Sequence, residues 1–290
     1  MNPVQDPHTA LPTVVIPVFN AHDCLVACLE SLGRHSPGAR VVLVDDASDD
    51  PRIAPYLAAW ANARDEATVI ALPANRGFVH AANRGVAAVS GDVVLLNSDT
   101  EVTAGWLEAL GRCLSSDSSI ATATPWSNNA EIVSLPEFCR NNPVPQDPAR
   151  WARAARASAV GTYPELPTAV GFSMDVSGAA IEALGFFDED AFGRGYGEEN
   201  DFCRRAAHAG WRNVLCEDAY VVHQGGQSFG PVGLGPGEDT MARLLAKHPG
   251  YLELVSAWIE ADPLADRRRR LLEHFERTPS GTLEASLARD

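Results

Sequence analysis

The sequence predicts an α/β fold: a mixed, mostly parallel sheet flanked by helices, followed by a C-terminal helical appendage. Three observations predict it. Through the first hundred residues, short β-branched apolar runs alternate with segments of helical period, the pattern of βαβ units. Several of these runs end directly in Asn or Asp, so polar groups collect at one edge of the sheet. The last fifty residues instead carry apolar positions at helical spacing: Leu244 and Leu245, then Leu252, Val255, Trp258 and Ile259, then Leu271, Leu272 and Phe275.

Thr13–Val18 reads as a buried strand ending at Phe19 and Asn20. A helix over Asp23–Gly33 puts Leu25, Cys28, Leu29 and Leu32 on one face, with Gly33 as its stop. Arg40–Val44 is a second strand, ending in Asp45 and Asp46, and Ser48-Asp49-Asp50-Pro51 opens a helix reaching Ala63. Thr68–Leu72, the Asn75-Arg76-Gly77-Phe78 turn and a helix around Val79–Val89 follow. Asp92–Leu96 is the fourth strand, apolar on both faces, and it runs straight into Asn97-Ser98-Asp99. Right-handed crossovers place all four strand ends on one side, gathering Asn20, Asp45, Asp46, Arg76 and Asp99 at one rim. Ligands of open α/β sheets bind at that edge. Asp99 also has a second reading, as the cap of a helix over Thr103–Leu114.

Pro125–Pro148 has the composition of loops, and Trp151–Ala159 reads as a short helix. Val170–Val176 is a strand and Gly178–Leu184 a helix. The flexible Gly193–Gly197 loop leads into Glu198-Glu199-Asn200-Asp201, which starts a helix through Ala209. Val214–Cys216 and Ala219–Val222 are short strands ending at His223, and Gly225–Gly237 is glycine-rich. The organisation expected is an N-terminal tail over 1–11, a main domain over 12–230 dividing near residue 115, and an extension over 231–290.

A chain of 290 residues with 46% hydrophobic content can bury a substantial core. The net charge of -15 argues against nucleic acid as the main partner, because a phosphate backbone demands a basic surface. An anionic substrate must therefore be met by a local device: a metal ion, helix N-termini or a few arginines. The six cysteines contain no C-x-x-C pair and fit free thiols in a reducing cytoplasm. Met1–Leu11 has no signal-peptide pattern, and no apolar run is long enough to span a bilayer. A cytoplasmic protein is expected, with at most peripheral membrane contact. Arg267–Arg270 could touch an acidic membrane surface, but a solvated helix face is the simpler reading.

Five segments, in register, resemble family-2 inverting glycosyltransferases. They are Thr13–Asn20, Val44-Asp45-Asp46-Ala47-Ser48-Asp49-Asp50, Asn75–Phe78 with Ala82-Asn83-Arg84-Gly85, Leu96–Thr100, and Gly197–Arg205. The Asn97-Ser98-Asp99-Thr100 form is closest to the rhamnosyltransferase-like branch. The resemblance implies a GT-A fold and transfer of a sugar from a nucleotide-diphospho-sugar of UDP or dTDP type to an acceptor hydroxyl, as in bacterial polysaccharide or glycoconjugate synthesis. It implies a divalent cation, Mn²⁺ or Mg²⁺, held by Asp99 with His223 as second ligand. It places Pro17, Phe19, Asn20, Asp45, Asp46, Arg76, Asn83, Asn97, Ser98 and Asp99 around the nucleotide-sugar, and Gly171, Met174 and Trp211 on the acceptor side. Glu199 stands where the family has its general base, with Glu198 as runner-up. The acceptor, a glycan, a lipid-linked group or another hydroxyl, is left open.

Two departures qualify the match. Asn97 stands where other members carry an acid, and Glu199 where they carry Asp. The amide can still hydrogen-bond a ribose or sugar, and Glu differs from Asp by about one methylene. A catalytically inactive sugar-nucleotide-binding module therefore stays open. A nucleotidyltransferase is disfavoured, because the residues after the first strand are Val18-Phe19-Asn20-Ala21-His22 rather than a glycine-rich basic loop.

Overall fold

The computed structural model describes residues 11–225 and 238–280. The tail before residue 11, nearly all of the glycine-rich segment and the last ten residues lie outside the described residues. In chain order the first elements are β1 (Thr13–Val18), α1 (His22–His35), β2 (Val41–Asp45), α2 (Ile53–Asn62), β3 (Ala67–Ala71), α3 (Phe78–Val86), β4 (Val93–Leu96) and β5 (Thr100–Val102). Then come α4 (Trp106–Ser115), β6 (Ile120–Trp126), α5 (Pro148–Ser158), β7 (Ser173–Val176), α6 (Gly178–Leu184), α7 (Glu189–Phe192), α8 (Glu198–His208) and β8 (Arg212–His223). Three helices follow: α9 (Glu238–Lys247), α10 (Tyr251–Ala261) and α11 (Ala265–Arg277).

The strands form one sheet in the order β3-β2-β1-β4-β7-β6-β8-β5. The β1–β2, β2–β3, β1–β4 and β6–β8 pairs are parallel, while β7 and β5 pair antiparallel with their neighbours. From β1 the chain winds outward to β2 and β3, then returns to β4 on the other side, so β1/β4 is the switch point of the sheet. The β1–β4 pairing stops at Val15 opposite Leu95. Pro17, which has no N–H to donate, lies beyond it. Past β4, the Asn97 N–H donates instead to the Phe172 carbonyl (2.9 Å). The two strands thus part at their carboxyl ends and leave a gap.

Alternate residues of β1 face different cores. Val14, Ile16 and Val18 join the cluster holding Leu25, Leu29, Trp106 and Trp126. Val15 joins the cluster holding Val79, Met174 and Phe202 on the other face. Helix α3 crosses β1 and β2 at Gly85, where a Cβ would come within 2.3 Å of Val15 Cγ1. Only glycine permits that approach. The C-terminal helices touch both cores: Leu264 and Leu271 belong to the first, Leu244 and Tyr251 to the second. Trp151 of α5 stacks between Tyr220 and Phe275, with ring centroids 5.8 and 4.0 Å away.

Several expected boundaries shift. Gly33 does not stop the first helix, which runs on until the Ser36 N–H caps Leu32 O at 2.8 Å. The missing side chain makes room for Arg64, whose guanidinium would lie 2.7 Å from a Cβ there. Asp99 does not cap a helix over Thr103–Leu114, because β5 intervenes and α4 begins only at Trp106. Pro125 and Trp126 belong to β6 rather than to a loop. The two short strands before His223 are one, β8, with a register irregularity opposite Pro125 and Trp126. Of Arg267–Arg270, the first three side chains are engaged in ion pairs, with Glu217, with Asp262, and with Asp266 and Glu273. Among the described residues no helix is long and apolar enough to cross a membrane.

Candidate active site

A cavity of about 930 Å³ opens at the parted carboxyl ends of β1 and β4. The sequence-predicted residues Pro17, Phe19, Asp46, Asn97, Ser98, Asp99, Gly171, Glu198, Glu199 and His223 all line it. Backbone pairing explains part of this convergence. In the β5–β8 ladder Thr100 lies opposite His223, so Asp99 and His223 become neighbours across 124 residues of chain. The Gln224 N–H continues the ladder to Asp99 O (3.0 Å).

Asp99 Oδ1 and His223 Nε2 are 3.5 Å apart. His223 Nδ1 lies 2.6 Å from the Asn129 carbonyl, an acceptor, so in the neutral ring the proton is on Nδ1 and Nε2 presents its lone pair. Buried Asn128 grips the His223 backbone, donating to its carbonyl and accepting from its N–H, both at 2.9 Å. Phe172 stacks on the imidazole with centroids 5.2 Å apart. A lone pair facing a carboxylate, with the tautomer set from behind, is a donor set suited to a divalent cation. Among the described residues no group of three or more His, Cys, Asp or Glu gathers to hold a metal. The protein would thus supply two donors, leaving positions for phosphate and water oxygens. Asn97 Oδ1, beside them, is buried and accepts no hydrogen bond.

The two acids of the Glu198-Glu199 pair differ in setting. Glu198 is buried, with Oε2 unpartnered, and burial followed by the neighbouring Glu199 charge pushes its carboxyl well above the ordinary range. Glu199 is only partly buried, and burial lifts its carboxyl to about 7, partly opposed by backbone N–H groups at the start of α8. Its side-chain stem lies against Gly171, where a Cβ would stand 3.8 Å from Glu199 Cγ.

Asp46 acts as a post for the neighbouring turn. Its oxygens accept from the N–H groups of Arg76 (2.9 Å) and Gly77 (2.7 Å). Burial raises its carboxyl, and those two hydrogen bonds offset part of the rise. Gly77 has φ of +96°, and a Cβ on it would lie 2.6 Å from Arg194 Cα, so the turn and the 193–197 loop meet there backbone to backbone.

Other expected residues lie outside the cavity. Asn20 Oδ1 accepts from the Asp49 and Asp50 N–H groups, clamping the loop after β2. Asp45 Oδ1 accepts from the Ser48 N–H within that loop. The Arg76 side chain turns away to Glu189 (2.6 Å). Asn83 bonds both the N–H and the carbonyl of Phe187. Met174 sits inside the second core, and Trp211 packs against its edge. Sequence reasoning missed Arg194 and Tyr196, which line the cavity from the loop before α8. Arg194, bonded to Asn75, carries positive charge beside Asp46 in a strongly acidic chain. Its placement between two glycines was the available signal.

Residues 13–136 match the model of Glycosyl transferase family 2. No curated protein matches the sequence. GalNAc-T7, solved with UDP, GalNAc and Mn²⁺, is structurally similar (TM-score 0.62, 16% identity, covering 93% of this chain and 55% of that one). The chain thus spans 55% of the length of that relative. TarS of S. aureus in complex with UDP-GlcNAc is also similar (TM-score 0.60, 14% identity, 93% of this chain and 82% of that one). So is the mannosyltransferase PcManGT of Pyrobaculum calidifontis in complex with GDP-Man and Mn²⁺ (TM-score 0.54, 18% identity, 94% and 77%). At these identities the likeness shows a shared GT-A-like fold.

Proposed function

We propose that the chain is an inverting glycosyltransferase of the rhamnosyltransferase-like branch, moving a sugar from a UDP- or dTDP-type nucleotide-diphospho-sugar to an acceptor hydroxyl in bacterial polysaccharide or glycoconjugate synthesis. One observation carries this reading. A single cavity at the sheet's switch point holds both the Asp99–His223 pair and the partly buried Glu199, whose carboxyl is lifted to about 7.

A divalent cation, Mn²⁺ or Mg²⁺, held by Asp99 and His223 would neutralise charge developing on the diphosphate leaving group. The chain's own groups do the rest. Asn97 Oδ1 accepts from a ribose or sugar hydroxyl, completing its missing hydrogen bond. Arg194 adds a positive charge for the donor's phosphates. Asp46, although bonded to Arg76 and Gly77, keeps lone pairs for a base N–H. Inversion requires in-line attack by an activated hydroxyl, and Glu199 takes its proton. A general base works best with its pKa near the working pH, and burial places Glu199 there. Glu198 beside it is pushed toward its protonated form, by burial first and by the Glu199 charge second.

An inactive nucleotide-sugar-binding module would need neither a base so tuned nor two facing cation donors. The test is nucleotide release from a panel of UDP-, dTDP- and GDP-sugars with Mn²⁺, comparing wild type with Glu199→Gln and Asp99→Asn. Both variants should lose transfer, and Glu199→Gln should keep its affinity for the nucleotide. Wild-type turnover by Glu199→Gln would overturn the base assignment. Full activity in chelator would overturn the cation role.

A further inference from the structure

We propose that Asn200 and Tyr251 are positioning residues for Glu199, so that the C-terminal extension supports the active site from behind the cavity; the proposal rests on Glu199 being the general base. Neither residue lines the cavity. Asn200 Nδ2 donates to Glu199 Oε1 (3.2 Å). On its other side, Asn200 Oδ1 accepts from Tyr251 Oη and from Thr168 Oγ1, both at 2.7 Å. The carboxylate identifies which end of the amide is the NH₂, and the two hydroxyls then hold the amide in that orientation. Tyr251 is buried, and burial, followed by the charge of Glu199, raises its phenol, so it stays protonated and donates.

Tyr251 begins α10 and is brought to this place by α9. His248 Nε2 and Lys247 Nζ each lie 2.8 Å from Oδ1 of fully buried Asp201, and Lys247 also reaches Asp188 (2.6 Å). The extension thus grips consecutive residues of α8, Asn200 and Asp201, just past the two glutamates. The hydrogen bond from Asn200 has a definite chemical consequence. It favours the ionised form of Glu199 and limits the rise that burial imposes. The titratable groups facing Glu199 are Tyr196, Cys203, Tyr251 and two acids, Glu198 on its own helix and Glu131 from the loop after β6, and Glu131 pushes it upward. Asn200 opposes the two acids with a neutral donor that can be removed without adding charge.

The experiment uses the full chain with Tyr251→Phe and Asn200→Ala. Turnover is followed against pH with the nucleotide-sugar that wild type uses fastest, and binding is measured by calorimetry with UDP and dTDP in Mn²⁺. Loss of a hydrogen bond of this class lowers turnover about three- to tenfold, less in Tyr251→Phe than in Asn200→Ala. The acid limb of kcat/KM should move to higher pH in both, while nucleotide affinity stays within about twofold. Unchanged turnover and an unmoved limb in Tyr251→Phe and Asn200→Ala would overturn the proposal. So would a loss of nucleotide affinity matching the loss of kcat/KM with the limb in place, which marks general loosening. Tyr251→Phe, which removes one oxygen, keeps the test open if Asn200→Ala does not fold. If Glu199→Gln itself turns over normally, the base reading has failed; if it is inactive while these two variants behave as wild type, only the positioning role has failed.

Discussion

A change of acidity over two pH units separates a tuned base from an ordinary carboxylate at position 199. With its carboxyl at about 7, Glu199 is ionised in about nine molecules in ten at pH 8, half at pH 7, and about one in eleven at pH 6. If the ionised form takes the acceptor's proton, kcat/KM drops about tenfold between pH 8 and pH 6. An unshifted glutamate, at about 4.3, would stay almost fully ionised over that range and leave the rate flat. The assay is initial-rate nucleotide release at limiting donor and constant cation, run on wild type and on Glu199→Gln. The variant should retain a small residual rate that does not vary across the same interval. Two results would refute the reasoning: a flat wild-type profile between pH 6 and 8, or an acid limb that survives in the residual activity of Glu199→Gln and so belongs to another group.

Three further outcomes test other parts of the structure. His223→Ala should raise the Mn²⁺ concentration giving half-maximal activity by about tenfold or more, since one of two protein donors is lost; an unaltered cation titration would remove His223 from the site. Gly85→Val should lower the urea midpoint by the equivalent of about 1–3 kcal/mol, because a Cβ there falls 2.3 Å from Val15 Cγ1 and 3.0 Å from Val44 Cγ2; an unchanged midpoint would contradict the close crossing of α3. Burial alone would raise the Asp201 carboxyl, but Lys247, Arg205 and His248 more than offset it and hold it below the usual range. A depressed acid contributes stability above its unfolded pKa of about 3.9, and that contribution is lost as pH falls through the lower folded value. Asp201→Asn should therefore be less stable than wild type in urea at neutral pH, with the gap narrowing in acid; a gap that stays constant would sink the ion-pair account.

The parallel strands are legible in sequence because their apolar runs are short, continuous and closed by polar residues, as at Val93–Asp99. Their ends form the cavity, which is why Asp46 and Asp99 can be named from the strand pattern, whereas Glu199, at the start of α8, is legible only through the resemblance. β5 cannot be read this way. Thr100-Glu101-Val102 is a strand only because β8 arrives beside it from 120 residues away, and the alternative reading of Asp99 as a helix cap fails for that reason. Glu217 and Asp218 break the apolar pattern of β8, yet Glu217 is buried, accepting from the Val160 and Gly161 N–H groups at 2.8 Å and pairing with Arg267. A motif also does not say which atoms of a residue it uses. Arg76 contributes its backbone N–H to Asp46 while its guanidinium leaves for Glu189. Tyr251 has no motif at all: its significance lies in a hydrogen bond to a residue 51 positions earlier.

The attachment of the last helices to both faces of the sheet bears on how the chain comes into being. Leu244 and Tyr251 complete one core, Leu264 and Leu271 the other. During synthesis the parallel strands emerge first, at about 5–20 residues per second. The earlier helices cover most of each face, and only the patches under Leu244, Tyr251, Leu264 and Leu271 stay open until the C-terminal helices leave the ribosome. A chain halted before α11 would leave apolar surface of the first core exposed where Leu264 and Leu271 now lie, so the late helices tie both cores into one folding unit.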